Sequence, residues 1–425
     1  MDITYDKTRA LAIKFDREDP LNSFRQRFHI PKDNQGKELL YFCGNSLGLM
    51  PNTARKYTDE MFEDWAKFGV EGHTHARHPW LPYHEFLTQS MAQIVGALPS
   101  EVVVMNSLTV NLHLLLASFY RPTQNRHKIL VEYSPFPSDR FVVRSQIRFH
   151  GFDPDSSLLE LQPDQGETIS TESILEVLEK RGDEIALILI GGVNYYTGQA
   201  FDMKTITEAG HAQGCMVGFD LAHAAGNLRL ELHDSGMDFA AWCGYKYLNS
   251  GPGGLSGVFI HQRHHNLQDI PRLEGWWGQD KESRFLMGPV FNPIPTAEAW
   301  QLSNPPILPM ATLRASLDIF DEVGMIALRK KSEKLTHYLE FLLSEFKGDT
   351  LDIITPEDPA QRGCQLSIQI KDKDKSLYEF LTHNGVIADW REPDVIRVAP
   401  VPLYNTFTEV WDFVQLIRHA LLSRL

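Results

Sequence analysis

From about Glu101 the chain alternates short β-branched and aliphatic runs with longer amphipathic stretches, a pattern that predicts parallel strands joined by crossover helices. Strands are predicted at Lys128–Glu132 (KILVE), Glu184–Ile190 (EIALILI), Met216–Asp220 (MVGFD), Asp238–Trp242 (DFAAW) and Gly257–His261 (GVFIH). Helices fall between them, near Asp139–Phe149, Thr171–Arg181 and Met203–Gln213. The runs are continuously apolar rather than alternating, as expected when helices cover both faces of a sheet. Two further helices are predicted earlier, at about Asn52–Phe68 and Tyr83–Leu98.

The proline-dense segment Ser303–Pro309 (SNPPILP) cannot continue a helix, and a long amphipathic helix is predicted after it, over Thr312–Glu345. Beyond that, Gln365–Ile370 reads as a half-buried strand, Lys375–Asn384 as a helix stopped by Gly385, and Ile396–Ala399 as another strand. The expectation is an α/β chain in three parts. Residues 1–50 form a segment packed on the rest, 51–305 a large sheet-centred domain, and 306–425 a small α+β domain.

Length and composition narrow the function. A chain of 425 residues with 43% hydrophobic and 23% charged residues is globular and long enough to bury a deep site. Its longest apolar stretch, Ile185–Val193, is half of what a bilayer span needs, and no apolar signal region opens the chain, so neither membrane nor export is expected. The net charge is −14 and the basic residues form no stripe, which makes nucleic acid a poor partner. Four widely spaced cysteines, with no C-x-x-C pair, fit neither a zinc ribbon nor a disulfide framework and point to the cytoplasm.

The chemistry concentrates in GFDLAHAAGN (Gly218–Asn227) and GYKYLNSGPGG (Gly244–Gly254). Asp220 ends a predicted parallel strand, where α/β sheets bind ligands, and Lys246 follows within reach of the same crevice. A buried lysine sheds its charge and attacks carbonyls, and a carboxylate facing a heterocyclic nitrogen keeps that nitrogen protonated. Together they describe a pyridoxal phosphate site. Gly251, Gly253 and Gly254 allow close backbone approach, Ser107-Leu108-Thr109 opens a helix whose free N–H groups suit a phosphate, and Phe136 is placed to stack on a ring.

At these residues the sequence resembles kynureninase, a pyridoxal-phosphate family of the fold-type-I aminotransferase superfamily. The matching motifs run in order along nearly the whole chain: CGNSLGL, MNSLTVNLHLLL, FPSD, NYYTGQ, GFDLAHAAGN, GYKYLNSGPGG, GWWG, SNPPIL and IRVAPVPLYN. The resemblance implies fold type I, with a large, mainly parallel sheet domain and a small C-terminal domain. It also implies a cytoplasmic homodimer with shared active sites. The implied activity is a hydrolase cleaving L-kynurenine, and 3-hydroxy-L-kynurenine, to anthranilate or 3-hydroxyanthranilate and L-alanine in tryptophan degradation and NAD biosynthesis.

Carried over position by position, Lys246 resembles the Schiff-base lysine, Asp220 the partner of the pyridine nitrogen, and His223 its neighbour. Leu108, Thr109, Phe136, Pro137, Ser138, Asp139 and Tyr245 match positions around ring and phosphate; Tyr245 is also the candidate proton relay. Trp276 and Asn304 match cofactor contacts that the neighbouring subunit can supply. Arg397 resembles the carboxylate clamp, and Ser46, His73 and Asn304 the lining of the aryl end. Gly191 stands where many of that family carry serine or threonine, which removes a hydroxyl contact.

Competing readings of the same residues are ordinary ones. His73, His75 and His78 lie in a Gly-bounded loop without helical period and are not expected to bind metal. Cys243 is read as a small buried residue, so a cysteine desulfurase lacks its mobile thiolate. An aminotransferase, or a non-catalytic binding protein on this scaffold, is the other alternative; the latter would have lost Lys246, Asp220 or Arg397.

Overall fold

The computed structural model describes residues 5–266 and 270–422. Its centre is a seven-stranded sheet built from Val102–Met105 (β1), Lys128–Val131 (β2), Leu158–Glu160 (β3), Ile185–Gly191 (β4), Met216–Asp220 (β5), Phe239–Cys243 (β6) and Ser256–Ile260 (β7). The spatial order is β1-β7-β6-β5-β4-β2-β3. Five neighbouring strands, β6 to β3, pair in parallel, whereas β7 runs antiparallel to both β6 and β1. The mixed edge leaves the sheet mainly parallel, as expected. A short connection from β6 through the lysine loop returns the chain beside itself, which only an antiparallel neighbour allows.

Helices cover both faces. Leu130, Ile188 and Ile190 pack into one apolar cluster and Ile129, Val131, Leu187 and Leu189 into another, so alternate side chains of buried strands serve opposite layers. The parallel strands put their C-terminal ends on one edge, where β5 ends in Asp220 directly beside Gly191 of β4.

The C-terminal part carries a four-stranded antiparallel sheet of Leu351–Ile353 (β8), Leu366–Ile370 (β9), Asp389–Arg391 (β10) and Val395–Val398 (β11), in the order β10-β11-β9-β8. Its core, around Leu339, Leu366, Ile396 and Phe413, also takes in Ala12 and Phe42 from the N-terminal segment. Leu40–Tyr41 pairs with Val386–Ile387 in a separate two-stranded sheet, tying the first fifty residues to the C-terminal part.

The helix expected as one rod over Thr312–Glu345 is two, Ile307–Val323 and Met325–Leu343. Gly324, at φ +77°, ends the first and opens the second, in a conformation a side chain rarely adopts. The first helix buries Met310, Leu313, Leu317 and Phe320 in the same cluster as large-domain residues, and the second contributes Leu335 and Leu339 to the small-domain core. The terminal helix Phe407–Leu422 and strand β1 are additions to the predicted elements.

Candidate active site

The C-terminal ends of β2, β4 and β5 and the loop after β6 surround a cavity of about 320 Å³. Lys246 sits in that loop, and its Nζ lies 3.0 Å from His223 Nε2 and 5.8 Å from the centroid of the Phe136 ring. The loop is pinned from the N-terminal segment. Gly48 donates its N–H to the Tyr245 carbonyl at 2.8 Å, and a Cβ there would stand 2.3 Å from the Lys246 carbonyl oxygen. Only glycine permits that approach.

The floor is acidic. Asp220 is buried at the end of β5 and accepts the Ala222 N–H at 2.7 Å. Burial raises its pKa, against the Asp139 hydrogen bond and Lys246, which pull it down. Asp139 is raised well above the usual carboxyl range, by burial first and then by Asp220. His223 is pushed well below its ordinary value by burial and then by Lys246, Arg397 and Arg391, and therefore stands as a neutral imidazole.

The remaining predicted residues divide sharply. Leu108, Thr109 and Ser138 line one end of the cavity, where the helix Leu108–Phe119 starts without a side-chain cap and the Thr109 and Ser138 hydroxyls lie 2.8 Å apart. Tyr245, Ser46 and Arg397 also line it. Pro137 opens the next helix at its first turn and lies outside the lining, as do Trp276, His73 and Asn304. Trp276 is 42% exposed and donates to the Arg284 carbonyl at 3.1 Å; His73 Nδ1 contacts the Val70 carbonyl at 2.9 Å; Asn304 is exposed.

Among the lining residues that sequence reasoning did not single out are Glu132, Asn45, Tyr195 and Arg391. Glu132 had the same signal as Asp220, an acid at the end of an apolar strand. It is fully buried, accepts the Gly191 N–H at 3.2 Å, and burial raises its pKa to about 7. A Cβ on Gly191 would lie 2.9 Å from Glu132 Oε1, so the space that a residue-191 side chain would enter is filled by this carboxyl.

Pyridoxal phosphate fits these residues on structural grounds. An uncapped helix start with two hydroxyls suits a phosphate. An exposed ring faces the cavity from Phe136, a buried carboxyl pair waits for a basic nitrogen, and Asp139 Oδ1 and His223 Nδ1 are buried without partners. Cys243, also in the lining, is pushed up to about 11 by burial, which leaves no thiolate for sulfur chemistry. A larger cavity of about 1090 Å³ lies between the N-terminal helix and Met325–Leu343, but it contains none of these groups, and volume alone supplies no chemistry.

The sheet order, the flanking helices and a lysine facing a strand-end aspartate define the class of fold-type-I pyridoxal-phosphate enzymes. The solved structures agree on the fold. The cysteine desulfurase of Thermococcus onnurineus NA1 superposes with a TM-score of 0.77 at 16% identity, covering 95% of this chain and 98% of its own. A C-DES mutant with glycine covalently linked to its pyridoxal phosphate cofactor gives 0.72 at 17% identity, covering 89% and 96%.

Sequence similarity is far closer elsewhere. The kynureninase C-terminal domain family matches residues 328–417, and the kynureninase of Myxococcus xanthus is 57% identical over 418 residues, 98% of each chain. The chain belongs to the kynureninase family. It is accordingly a pyridoxal-phosphate-dependent hydrolase.

Proposed function

We propose that the protein hydrolyses L-kynurenine to anthranilate and L-alanine in the cavity around Lys246. The observation that carries this reading is that Lys246, His223, Asp220 and Arg397 line one cavity, with Lys246 Nζ 3.0 Å from His223 Nε2. When bound, pyridoxal phosphate supplies an aldehyde for amines and a ring that accepts electron density from the neighbouring carbon. Asp220, with Asp139 behind it, keeps a proton on the ring nitrogen. Thr109, Ser138 and the starts of their two helices would hold the phosphate, and Phe136 would stand against the ring.

Arg397 holds the substrate carboxylate and thereby fixes which bond at the α-carbon lies perpendicular to the ring. Lys246 Nζ takes the α-proton, with neutral His223 at 3.0 Å as its hydrogen-bonding neighbour. Water adds to the side-chain ketone, and the bond from the carbonyl carbon to the β-carbon breaks. Tyr245 passes a proton to the departing β-carbon and regains one from the added water, Lys246 returns its proton to the α-carbon to complete alanine, and the carbonyl side leaves as anthranilate. The phenol's pKa is raised by burial, then by Cys243, so it stays protonated for that task.

The enzyme is a homodimer in this reading, and Trp276, His73 and Asn304 act in the neighbouring copy's cavity. Support comes from the exposed apolar run Trp276, Phe285, Leu286, Met287 and Val290 and from the absence of all three residues from their own lining. Among the described residues no helix is long and apolar enough to cross a membrane, which is compatible with a cytoplasmic enzyme. Asn304 also makes 3-hydroxykynurenine a substrate, since a polar group at the aryl end rewards a ring hydroxyl. Asn304→Ala then lowers the ratio of specificity constants for hydroxylated over plain kynurenine; an unchanged ratio removes Asn304 from ring recognition.

The test of the main reading is direct. The purified holoenzyme is given kynurenine or cysteine, and anthranilate fluorescence, alanine and sulfide are followed. Stoichiometric anthranilate and alanine, without sulfide from cysteine, is the expected result. Alanine and sulfide from cysteine without anthranilate from kynurenine would replace it with the desulfurase reading.

A further inference from the structure

A second arginine lines the cavity beside Arg397. Strands β10 and β11 are antiparallel and place Asp389 directly opposite Arg397, with Arg391 two residues along β10 on the same face. A single oxygen, Asp389 Oδ2, receives Arg397 Nη2, Arg391 Nη2 at 2.9 Å and the Ser46 hydroxyl at 2.9 Å. Arg397 Nη1 is committed to the Tyr195 carbonyl at 2.6 Å. Both guanidiniums keep a buried Nε–H with no acceptor.

Arg391 and Arg397 line the cavity, and Asp389 does not. One carboxylate therefore yokes two cations from behind, and the face they show the cavity carries an uncompensated positive charge. The other acids of the cavity, Glu132, Asp139 and Asp220, belong to the opposite domain's strand ends and helix. A second carboxylate, arriving with the substrate, restores the balance of two anions to two cations. Arg397 is 1% exposed and has its Nη groups engaged, whereas the Arg391 side chain is 37% exposed, so Arg391 has the freer donors.

We propose that Arg391 is a second residue that binds the substrate's α-carboxylate and determines specificity for it, with Asp389 setting the spacing of the two arginines. This rests on the reading of the cavity as an α-amino-acid site and adds to it a residue with a separable role. A bidentate carboxylate held between two guanidiniums gains charge-assisted hydrogen bonds from both, and each such bond is worth roughly a tenfold to hundredfold factor in affinity.

The test compares L-alanine with L-alaninamide, which differ only in the carboxylate, by their effect on the visible spectrum of the holoenzyme. The wild type should bind alanine more tightly than its amide. Arg391→Gln should shrink that preference by about tenfold or more, and Arg391→Lys, which keeps the charge but not the fork, should fall between. Melting temperature identifies any variant that fails to fold, and the lysine variant then carries the comparison. Equal weakening of both ligands would show that Arg391 only braces the strand and would overturn the proposal, as would unchanged binding of both. Kynurenine turnover is measured separately. If kynurenine is not hydrolysed while the alanine preference still follows residue 391, the clamp stands and the choice of substrate falls.

Discussion

The floor and the wall of the cavity carry opposite charge and are built in opposite ways. Asp220 and Glu132 end parallel strands of the large sheet, with Asp139 in the first turn of a helix, and all three pKa values are raised mainly by burial. Arg391 and Arg397 come from neighbouring strands of the other domain and are held by hydrogen bonds to Asp389, Ser46 and Tyr195, which are scattered through the chain. The floor is set by local strand geometry and tunes protons. The wall is assembled by long-range pairing and, in the proposed reading, recognises charge. Substitutions in the floor should therefore act on rate, and those in the wall on binding.

The largest effect is expected at the point where the two meet. Lys246→Ala removes the amine beside His223 and should lower kynurenine turnover by at least about 10³-fold. The visible absorbance of bound cofactor should change with it, while the melting temperature of the cofactor-free protein stays close to wild type. Turnover near the wild-type rate would place the base elsewhere.

A smaller effect tests how tightly the floor is packed. Gly191→Ser puts a Cβ 2.9 Å from Glu132 Oε1, and the carboxyl must move. Overpacking of this kind costs about 1–3 kcal/mol, and the expected outcome is a lowered melting temperature recovered in the Gly191→Ser, Glu132→Ala double variant. Additive losses in the double variant would mean that the two positions do not compete for space.

An effect of similar size is a pH dependence. Burial raises Glu132 to about 7 in the folded protein, so between the unfolded carboxyl's ordinary value and that point the unfolded chain is ionised while the folded one is still protonated. The folded state then binds more protons, and this group's contribution to stability falls as pH rises through that window and levels off above it. In cofactor-free protein, Glu132→Gln should gain on wild type progressively from pH 5 to 7, by on the order of 3 kcal/mol at most, and no further above. A stability gap that is flat from pH 5 to 8, followed by chemical denaturation, would mean that the Glu132 carboxyl ionises normally.

The same contrast explains what the sequence makes legible. β5 is predicted residue for residue, and Asp220 with it, because a short apolar run ending in an acid is a local pattern. The lysine loop is marked by its glycines for a similar reason. Arg391 has no such mark: it lies six residues before Arg397 in a stretch without apolar periodicity, and its role appears only when β10 folds back on β11. Glu132 was within a predicted strand, but its burial depends on Gly191 from a strand 59 residues away. The break at Gly324 was hidden because amphipathic patterning continues on both sides of it.

The division of labour is tested most directly by the separate kinetic constants of Asp220→Ala and Arg397→Ala with L-kynurenine. Asp220→Ala should lower kcat by at least about 10²-fold with KM nearly unchanged, because the proton at the ring nitrogen is lost while the arginines remain. Arg397→Ala should act mainly on KM, by an amount corresponding to roughly 2–5 kcal/mol for one partner of a buried charge pair. Equal changes of kcat and KM in both variants would contradict the account, since floor and wall would then be one undivided device.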